Sequence, residues 1–459
     1  MSHFLKELIM ADPVIRSIAG AQEKHNCDYR WSRYVLRKEN AEGLLLYNTL
    51  TCQLVFFPSA EKDQLLSCET LLRGWFLVPQ DFDEYSFARR IKRLRQLVYK
   101  AEEKKNRTLP IDRYWILTTT NCNARCFYCH ENGIPHMHMT PRTADDIVRY
   151  IQKHCAGQPV QLMWYGGEPL VNERVIDQIT RGLQEKGIAY SGKMISNGYL
   201  FDADSAKKAA TLWQLRQIQI TLDGMEETYN RIKAYPHSAE EGSPFVKVLD
   251  NISLLLDNRV NVQVRLNIDS YNREELFSLA DLLIGRFGGR AGFSIYSAPL
   301  LEDCLGTDHT RTQAQRQEVY AAHHALSEKL NCAGVLLKTE LARAMRSEMR
   351  CIAVSNVRVI FPDGQLAFCH DYTDGILSGS IYGEEPQEQE RIAYTQCLPE
   401  KAECAECVKF PQCVRLAKCF NNHCNAEMVS EWIWTTQNEM QWAYEQQFPA
   451  DGAKKATAE

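Results

Sequence analysis

Between residues 109 and 297 the chain alternates two hydrophobic periodicities. Apolar or alternating runs at 114–119, 160–165, 193–196, 217–222, 260–268 and 292–296 have the pattern of strands. Between them, at 143–155, 171–186, 245–257 and 273–287, apolar positions recur at helical spacing. Repeated strand–helix units predict an α/β fold with a parallel sheet, here a partial (β/α)6 barrel over residues 106–300. Its chemistry is then expected in the loops after the carboxyl ends of the strands. Ahead of the barrel the pattern changes. Strands at 29–37, 43–47 and 53–57 and helices at 61–73 and 87–101 predict a small α+β module over residues 1–105. The stretch 87–105 carries Arg89, Arg90, Lys92, Arg93, Arg95, Lys100, Lys104 and Lys105, and reads as the solvated face of a linker helix. Beyond the barrel, 301–345 reads as a bridge with a helix near 311–330. A loop-rich cysteine domain is expected over 346–440, and a tail over 441–459 whose last ten residues are small and charged.

Composition removes several classes. The net charge is -5, from 53 basic and 58 acidic residues, and no basic stripe with interleaved aromatics appears, so nucleic acid is not an expected partner. The N-terminus lacks a signal-type apolar core and no run approaches about 18 apolar residues, which predicts a cytoplasmic protein without a membrane span. Seventeen cysteines in such a compartment argue for metal or redox chemistry over disulfides. Ten of them form two groups, within 122–129 and 351–424, if Cys397 is counted with the scattered ones.

The first group is Cys122-Asn-Ala-Arg-Cys126-Phe-Tyr-Cys129, directly after the first barrel strand. Three thiolates at this spacing can hold three irons of a [4Fe–4S] cube and leave the fourth open to a small molecule. Zinc is the competitor, with His130 as its fourth ligand. Downstream, the second to fifth predicted strands each lead into a polar cluster. These are Gly166-Gly167-Glu168-Pro169, Ser196-Asn197-Gly198, Thr221-Leu-Asp223-Gly224 and Arg265-Leu-Asn267-Ile-Asp269. Any one of them alone is an ordinary turn, but all of them fall on one rim.

Together with the cysteine triplet they resemble the radical S-adenosylmethionine (SAM) superfamily, across 109–297. The resemblance implies that the amino and carboxylate groups of SAM chelate the open iron. One electron then cleaves the sulfonium to methionine and a 5′-deoxyadenosyl radical. It further implies that Gly166 and Gly167 let backbone approach the methionyl amine, which Glu168 accepts from. Ser196 and Asn197 would serve the ribose or the methionyl end, and Arg265 the carboxylate. Tyr128, or Phe127, would pack near the adenine. Asp223 either faces substrate as a catalytic group or caps the following helix. A flavodoxin- or ferredoxin-type electron donor is the implied partner.

In the second group, Cys351 and Cys369 flank a hairpin at 357–368 with a Pro-Asp-Gly turn. Cys404, Cys407, Cys413, Cys419 and Cys424 follow. Seven thiols exceed the needs of one zinc, though two zincs would use them. The region resembles the SPASM extension of radical SAM enzymes, which holds two auxiliary [4Fe–4S] clusters. By that resemblance Cys351, Cys369 and Cys419 serve the inner cluster, and Cys404, Cys407, Cys413 and Cys424 the outer one. The five-residue spacing between Cys413 and Cys419 departs from the usual three, which leaves the division of Cys419 and Cys424 open. Cys397 is a candidate fourth inner ligand; otherwise that iron is open. In sulfatase-maturing relatives an aspartate follows the cysteine equivalent to Cys369 and looks like the base. Here His370 and Asp371 are the candidates, with hydrogen bonding to cluster sulfurs as the plain alternative.

The N-terminal stretch Tyr34-Val-Leu-Arg37, Gly43-Leu-Leu-Leu-Tyr-Asn-Thr-Leu-Thr51 and Gly74-Trp-Phe-Leu-Val-Pro79 resembles the leader-recognition modules of peptide-modifying enzymes. Such modules add an extended peptide to a strand edge. The expectation is therefore a maturase that installs a thioether or carbon–carbon cross-link in a ribosomally synthesised precursor peptide. The alternative is sulfatase-maturase-like oxidation of a cysteine or serine in a protein. His370 and the added N-terminal module count against it. A module that only carries electrons is disfavoured by the intact triplet and rim.

Overall fold

The computed structural model describes residues 29–60, 71, 74–106, 108–129, 131, 133–236, 242–300, 311–337, 356–369, 377–383, 385, 396–416 and 424–447. The chain divides into two compact units. One takes Met1–Asn106, Thr339–Val354 and Tyr394–Glu459, and the other Arg107–Lys338 with Ser355–Ala393.

The first unit starts with β1 (Tyr29–Trp31), β2 (Val35–Glu39), β3 (Gly43–Asn48), β4 (Gln53–Pro58) and β5 (Leu77–Pro79). β2, β3 and β4 form an antiparallel meander, and β1 pairs with β5. The one strand expected over 29–37 is thus two. The Ser32 hydroxyl accepts from the Tyr34 N–H at 3.2 Å, turning the chain between the two sheets. Helix α1 (Glu84–Asn106) follows, its first turn held by the Asp83 carboxylate, which accepts from the Ser86 N–H at 3.0 Å. The helix expected at 61–73 lies outside the described residues, apart from Leu71.

The second unit runs β6 (Arg113–Leu117), α2 (Pro141–His154), β7 (Val160–Tyr165), α3 (Glu173–Glu185), β8 (Tyr190–Ser196), α4 (Ala203–Thr211) and β9 (Leu215–Leu222). It continues with α5 (Glu226–Lys233), α6 (Pro244–Asp257), β10 (Asn261–Ile268), α7 (Glu275–Phe287), β11 (Phe293–Pro299) and α8 (Gln313–Cys332). β6 to β11 are parallel neighbours in chain order, the expected (β/α)6 arrangement. Their inward residues are largely β-branched: Ile218, Ile220, Val262 and Val264 are all fully buried. Helix starts are set by local chemistry. Thr140 accepts from the Thr143 N–H ahead of Pro141, and Asp202 and Thr312 open capping boxes with Ser205 and Gln315.

The hairpin expected in the cysteine-rich region forms, as β12 (Val357–Ile360) and β13 (Gln365–Ala367) around Gly364, whose φ is +86°. It extends the barrel sheet: β12 lies parallel to β6, and β13 pairs onward with β14 (Leu377–Ser380), making nine strands in the order β11-β10-β9-β8-β7-β6-β12-β13-β14.

The last helix, α9 (Ala426–Gln447), returns to the first unit and runs past the expected boundary at 440. Met440 and Tyr444 pack on Leu36, Leu45 and Tyr47 of the meander, and the Gln437 amide donates to the Arg37 carbonyl at 2.8 Å. Residues expected as separate N- and C-terminal modules thus share one core.

The basic run on α1 is not all solvated. Arg95 is 3 % exposed, and its guanidinium donates to the carbonyls of Pro411 at 2.7 Å, Thr49 at 3.4 Å and Leu50. Among the described residues no helix is long and apolar enough to cross a membrane.

Candidate active site

The polar clusters after β6, β7, β8, β9 and β10 meet at one end of the sheet. The cysteine loop follows Thr118-Thr119-Thr120, and its backbone is fastened to the glycine pair. The Gly167 N–H donates to the Thr119 carbonyl at 3.1 Å and the Glu168 N–H to the Asn121 carbonyl at 3.0 Å. A Cβ on Gly166, where φ is +127°, would stand 2.2 Å from the Thr119 oxygen; one on Gly167 would stand 2.3 Å from that of Asn121. The space each glycine leaves is filled by the chain's own backbone, so the pair clamps the cysteine loop to the second rim loop.

Glu168 is fully buried. Its carboxylate accepts from the Ser196 hydroxyl at 2.9 Å, the Asn197 N–H at 2.8 Å and the Leu170 N–H at 3.2 Å. Burial pushes the carboxyl up to about 7, against the pull of those donors. The amine that the sequence places on Glu168 would therefore join donors from the protein. Asn197 completes the rim by donating to Asn123 Oδ1 at 2.7 Å, with Cys122 Sγ 3.9 Å away.

Cys122, Cys126 and Cys129 are each partly exposed. Burial raises all three thiols, Cys122 to about 12 and Cys129 to about 11, and the charge of neighbouring loop thiolates adds to it at Cys122 and Cys129. Three thiols in one loop, reluctant to ionise unaided, suit a cationic cluster that displaces their protons. His130 lies outside the described residues.

Asp223 does not cap the following helix: it is fully buried, and the N-cap of α5 is Met225, without a side-chain cap. Asp223 Oδ1 accepts from the Tyr128 hydroxyl at 2.8 Å and from the Asn267 amide at 3.0 Å, while Oδ2 pairs with Lys233 Nζ at 2.9 Å. Lys233, 3 % exposed, also donates to the Tyr128 hydroxyl at 3.1 Å. Sequence reading missed this lysine, because nothing in a helix-terminal Arg-Ile-Lys marks it as buried. Tyr128 is thus committed through its hydroxyl. The exposed rings are its neighbour Phe127 and Tyr271, 5.6 Å apart. Arg265 Nε donates to Asn267 Oδ1 at 2.9 Å, so Asn267 links it to Asp223. Asp269 supports the rim from a buried pair with Arg311 at 2.7 Å.

Residues 116–283 match the model of the Radical SAM superfamily, a stretch that contains the three loop cysteines and every rim cluster described above. Those residues are a radical SAM domain. The superfamily is one of enzymes, and the domain implies a [4Fe–4S] cluster and SAM, which the donor set above fits. GTP 3′,8-cyclase of Clostridium perfringens (strain SM101 / Type A) is 30% identical over 177 residues, 38% of this chain and 51% of its own. The chain thus spans about half the length of the curated relatives it matches. Among solved structures, anSMEcpe with bound AdoMet superposes with a TM-score of 0.54 at 14% identity, over 73% of this chain and 94% of that one. The same protein with AdoMet and the Cp18Cys peptide gives 0.53 at 14%, over 73% and 97%. This likeness is one of fold.

Outside the radical SAM domain, Cys404, Cys407, Cys413 and Cys424 line one cavity of about 650 Å³ within the first unit. Burial raises the Cys407 and Cys413 thiols, and Lys92 and Lys409 pull Cys413 back toward the thiolate. Lys92 comes from α1, a second departure from the solvated-face reading. Cys397 lines a different cavity, with Arg89 and Lys92. Cys369 is partly exposed at the end of the hairpin. Cys351, His370, Asp371 and Cys419 lie outside the described residues.

Proposed function

We propose that the chain is a cytoplasmic radical SAM maturase that installs a cross-link, thioether or carbon–carbon, in a ribosomally made precursor peptide. The observation that carries the peptide part is strand β4. Its sequence Gln53-Leu-Val-Phe-Phe-Pro58 has a strand partner on one side only among the described residues. An apolar edge of that kind is a template for a strand from another chain, and adding an extended leader there uses only main-chain hydrogen bonds. The meander that ends in β4 shares its compact unit with the four-cysteine cavity.

When bound, the first cluster and SAM supply a 5′-deoxyadenosyl radical that removes a hydrogen atom from the substrate. Cys122, Cys126 and Cys129 would hold the cluster; Gly166, Gly167, Glu168, Ser196 and Asn197 would keep their loop in place. The Arg265 guanidinium suits a carboxylate, which it can grip with two parallel hydrogen bonds. Cys404, Cys407, Cys413 and Cys424, which line one cavity, would serve one auxiliary [4Fe–4S] cluster, and Cys351, Cys369 and Cys419 another. Such clusters suit removal of the second electron, and His370 or Asp371 the accompanying proton. A flavodoxin- or ferredoxin-type protein would deliver the first electron.

A second reading, oxidation of one cysteine or serine side chain in a protein substrate, draws on the fold likeness to anSMEcpe and leaves the β4 edge without a role. Cyclisation of GTP has less support, because the cyclase match covers 38% of the chain.

The test is anaerobic co-expression with a short peptide encoded beside this chain, followed by mass spectrometry. A loss of two hydrogens with fragments showing two residues joined, one 5′-deoxyadenosine per bond, and slowed amide exchange at 53–58 on adding the peptide are expected. Two hydrogens lost from a single side chain would move the assignment to the second reading. Unchanged exchange at 53–58 would remove the leader-binding role.

A further inference from the structure

Lys233 has no role in the function proposed above, yet it is among the most enclosed cations of the radical SAM domain. Its ammonium lies 2.9 Å from Asp223 Oδ2 and 3.1 Å from the Tyr128 hydroxyl, and 5.7 Å from the ring centres of both Tyr128 and Tyr229. Its own carbonyl accepts from the Arg125 N–H at 2.7 Å, so the residue that carries the charge also anchors the cysteine loop one position before Cys126.

A buried Lys–Asp pair is expensive to build unless its geometry serves something. Both charges reach the Tyr128 hydroxyl, between Cys126 and Cys129, and the carboxylate is satisfied in addition by the Asn267 amide. Reducing an iron–sulfur cluster adds negative charge, and a nearby fixed cation stabilises that state. Charge and hydrogen bonding at the ligand sulfurs are among the levers on cluster potential.

We propose that Lys233 is a positioning residue that sets the charge around Cys126, and through it the reduction potential of the cluster held by Cys122, Cys126 and Cys129. The inference rests on the cluster that a radical SAM domain implies, and it makes Tyr128 and Asp223 the groups that aim the ammonium.

The experiment uses the full chain, reconstituted anaerobically with iron and sulfide, and follows by EPR the signal that changes on adding SAM. The potential is read for wild type, Lys233→Arg, and the charge-neutral pair Asp223→Asn/Lys233→Gln. The pair variant avoids stranding a buried carboxylate, which Lys233→Gln alone would do. Lys233→Arg is expected to titrate like wild type. The neutral pair should be harder to reduce by at least tenfold in the equilibrium constant, about 59 mV for one electron. A folded neutral pair that takes up no SAM-responsive cluster, where Lys233→Arg does, also supports the assignment. A full cluster at the wild-type potential overturns it, and so does an equal shift in Lys233→Arg. A wild-type protein with no SAM-responsive signal would instead sink the cluster itself.

Discussion

The carbonyl oxygen of Thr119 stands 2.2 Å from where a Cβ on Gly166 would lie. No side chain fits there without moving the strand end that leads into the cysteine loop. Gly166→Ala therefore combines overpacking with a backbone angle that alanine avoids, for a loss of about 2–4 kcal/mol in urea unfolding. SAM binding by calorimetry should fall with it. An alanine variant with the wild-type midpoint would show that the cysteine loop yields at no cost.

Glu168 makes stability depend on pH in a specific direction. Its buried carboxyl titrates near 7, against 4.5 in the free chain. Below 4.5 both states are protonated and the group's contribution is complete. As pH rises to 7 the unfolded chain releases its proton first, and the contribution is lost. The difference in unfolding free energy between wild type and Glu168→Gln should shrink by on the order of 3 kcal/mol from pH 4.5 to 8. Glu131, also raised to about 7 by burial, titrates in both proteins and cancels. A difference constant across that range would mean Glu168 stays ionised on its three donors.

Arg95 and Leu97 test the reading of α1. Arg95 is 3 % exposed and satisfies carbonyls of residues 49, 50 and 411, while Leu97 is 61% exposed. Arg95→Met strands those carbonyls and should cost about 3 kcal/mol in thermal unfolding. Leu97→Ala should stay within about 0.5 kcal/mol. The reverse order of effects would return the helix to a solvated linker.

The two cysteine groups should separate chemically. Cys126→Ala is expected to abolish 5′-deoxyadenosine formation under reducing anaerobic conditions. Cys407→Ala should leave that cleavage measurable while product formation stops and iron per chain falls. Equal loss of cleavage in both variants would mean the four-cysteine cavity only holds the fold.

Much of the radical SAM domain was legible from residue pattern. Each of the six barrel strands lies within a few residues of its expected place, because a buried parallel strand is a short apolar run and its helices carry an apolar stripe. The rim clusters were found for a related reason: glycine, serine and asparagine at strand ends break both periodicities at once. What escaped was partnership. Nothing in Val357-Arg-Val-Ile360 says that it pairs with Arg113–Leu117, and nothing in α9 says that it covers β2 and β3. Arg95 looks like its exposed neighbours until the carbonyls it reaches are known.

By itself the sequence determined which groups exist and how they are spaced: three thiols in one loop, a glycine pair after the next strand, seven more thiols far downstream. Those facts are local, since ligand chemistry depends on residue type and short-range spacing. The tertiary structure alone decided which groups meet. It closed Glu168 around Ser196 and Asn197, turned Asp223 inward onto Lys233, and gathered Cys404 and Cys424 into one cavity. Such contacts are set by side-chain packing across elements distant in the chain, and hydrophobic period carries no record of the partner.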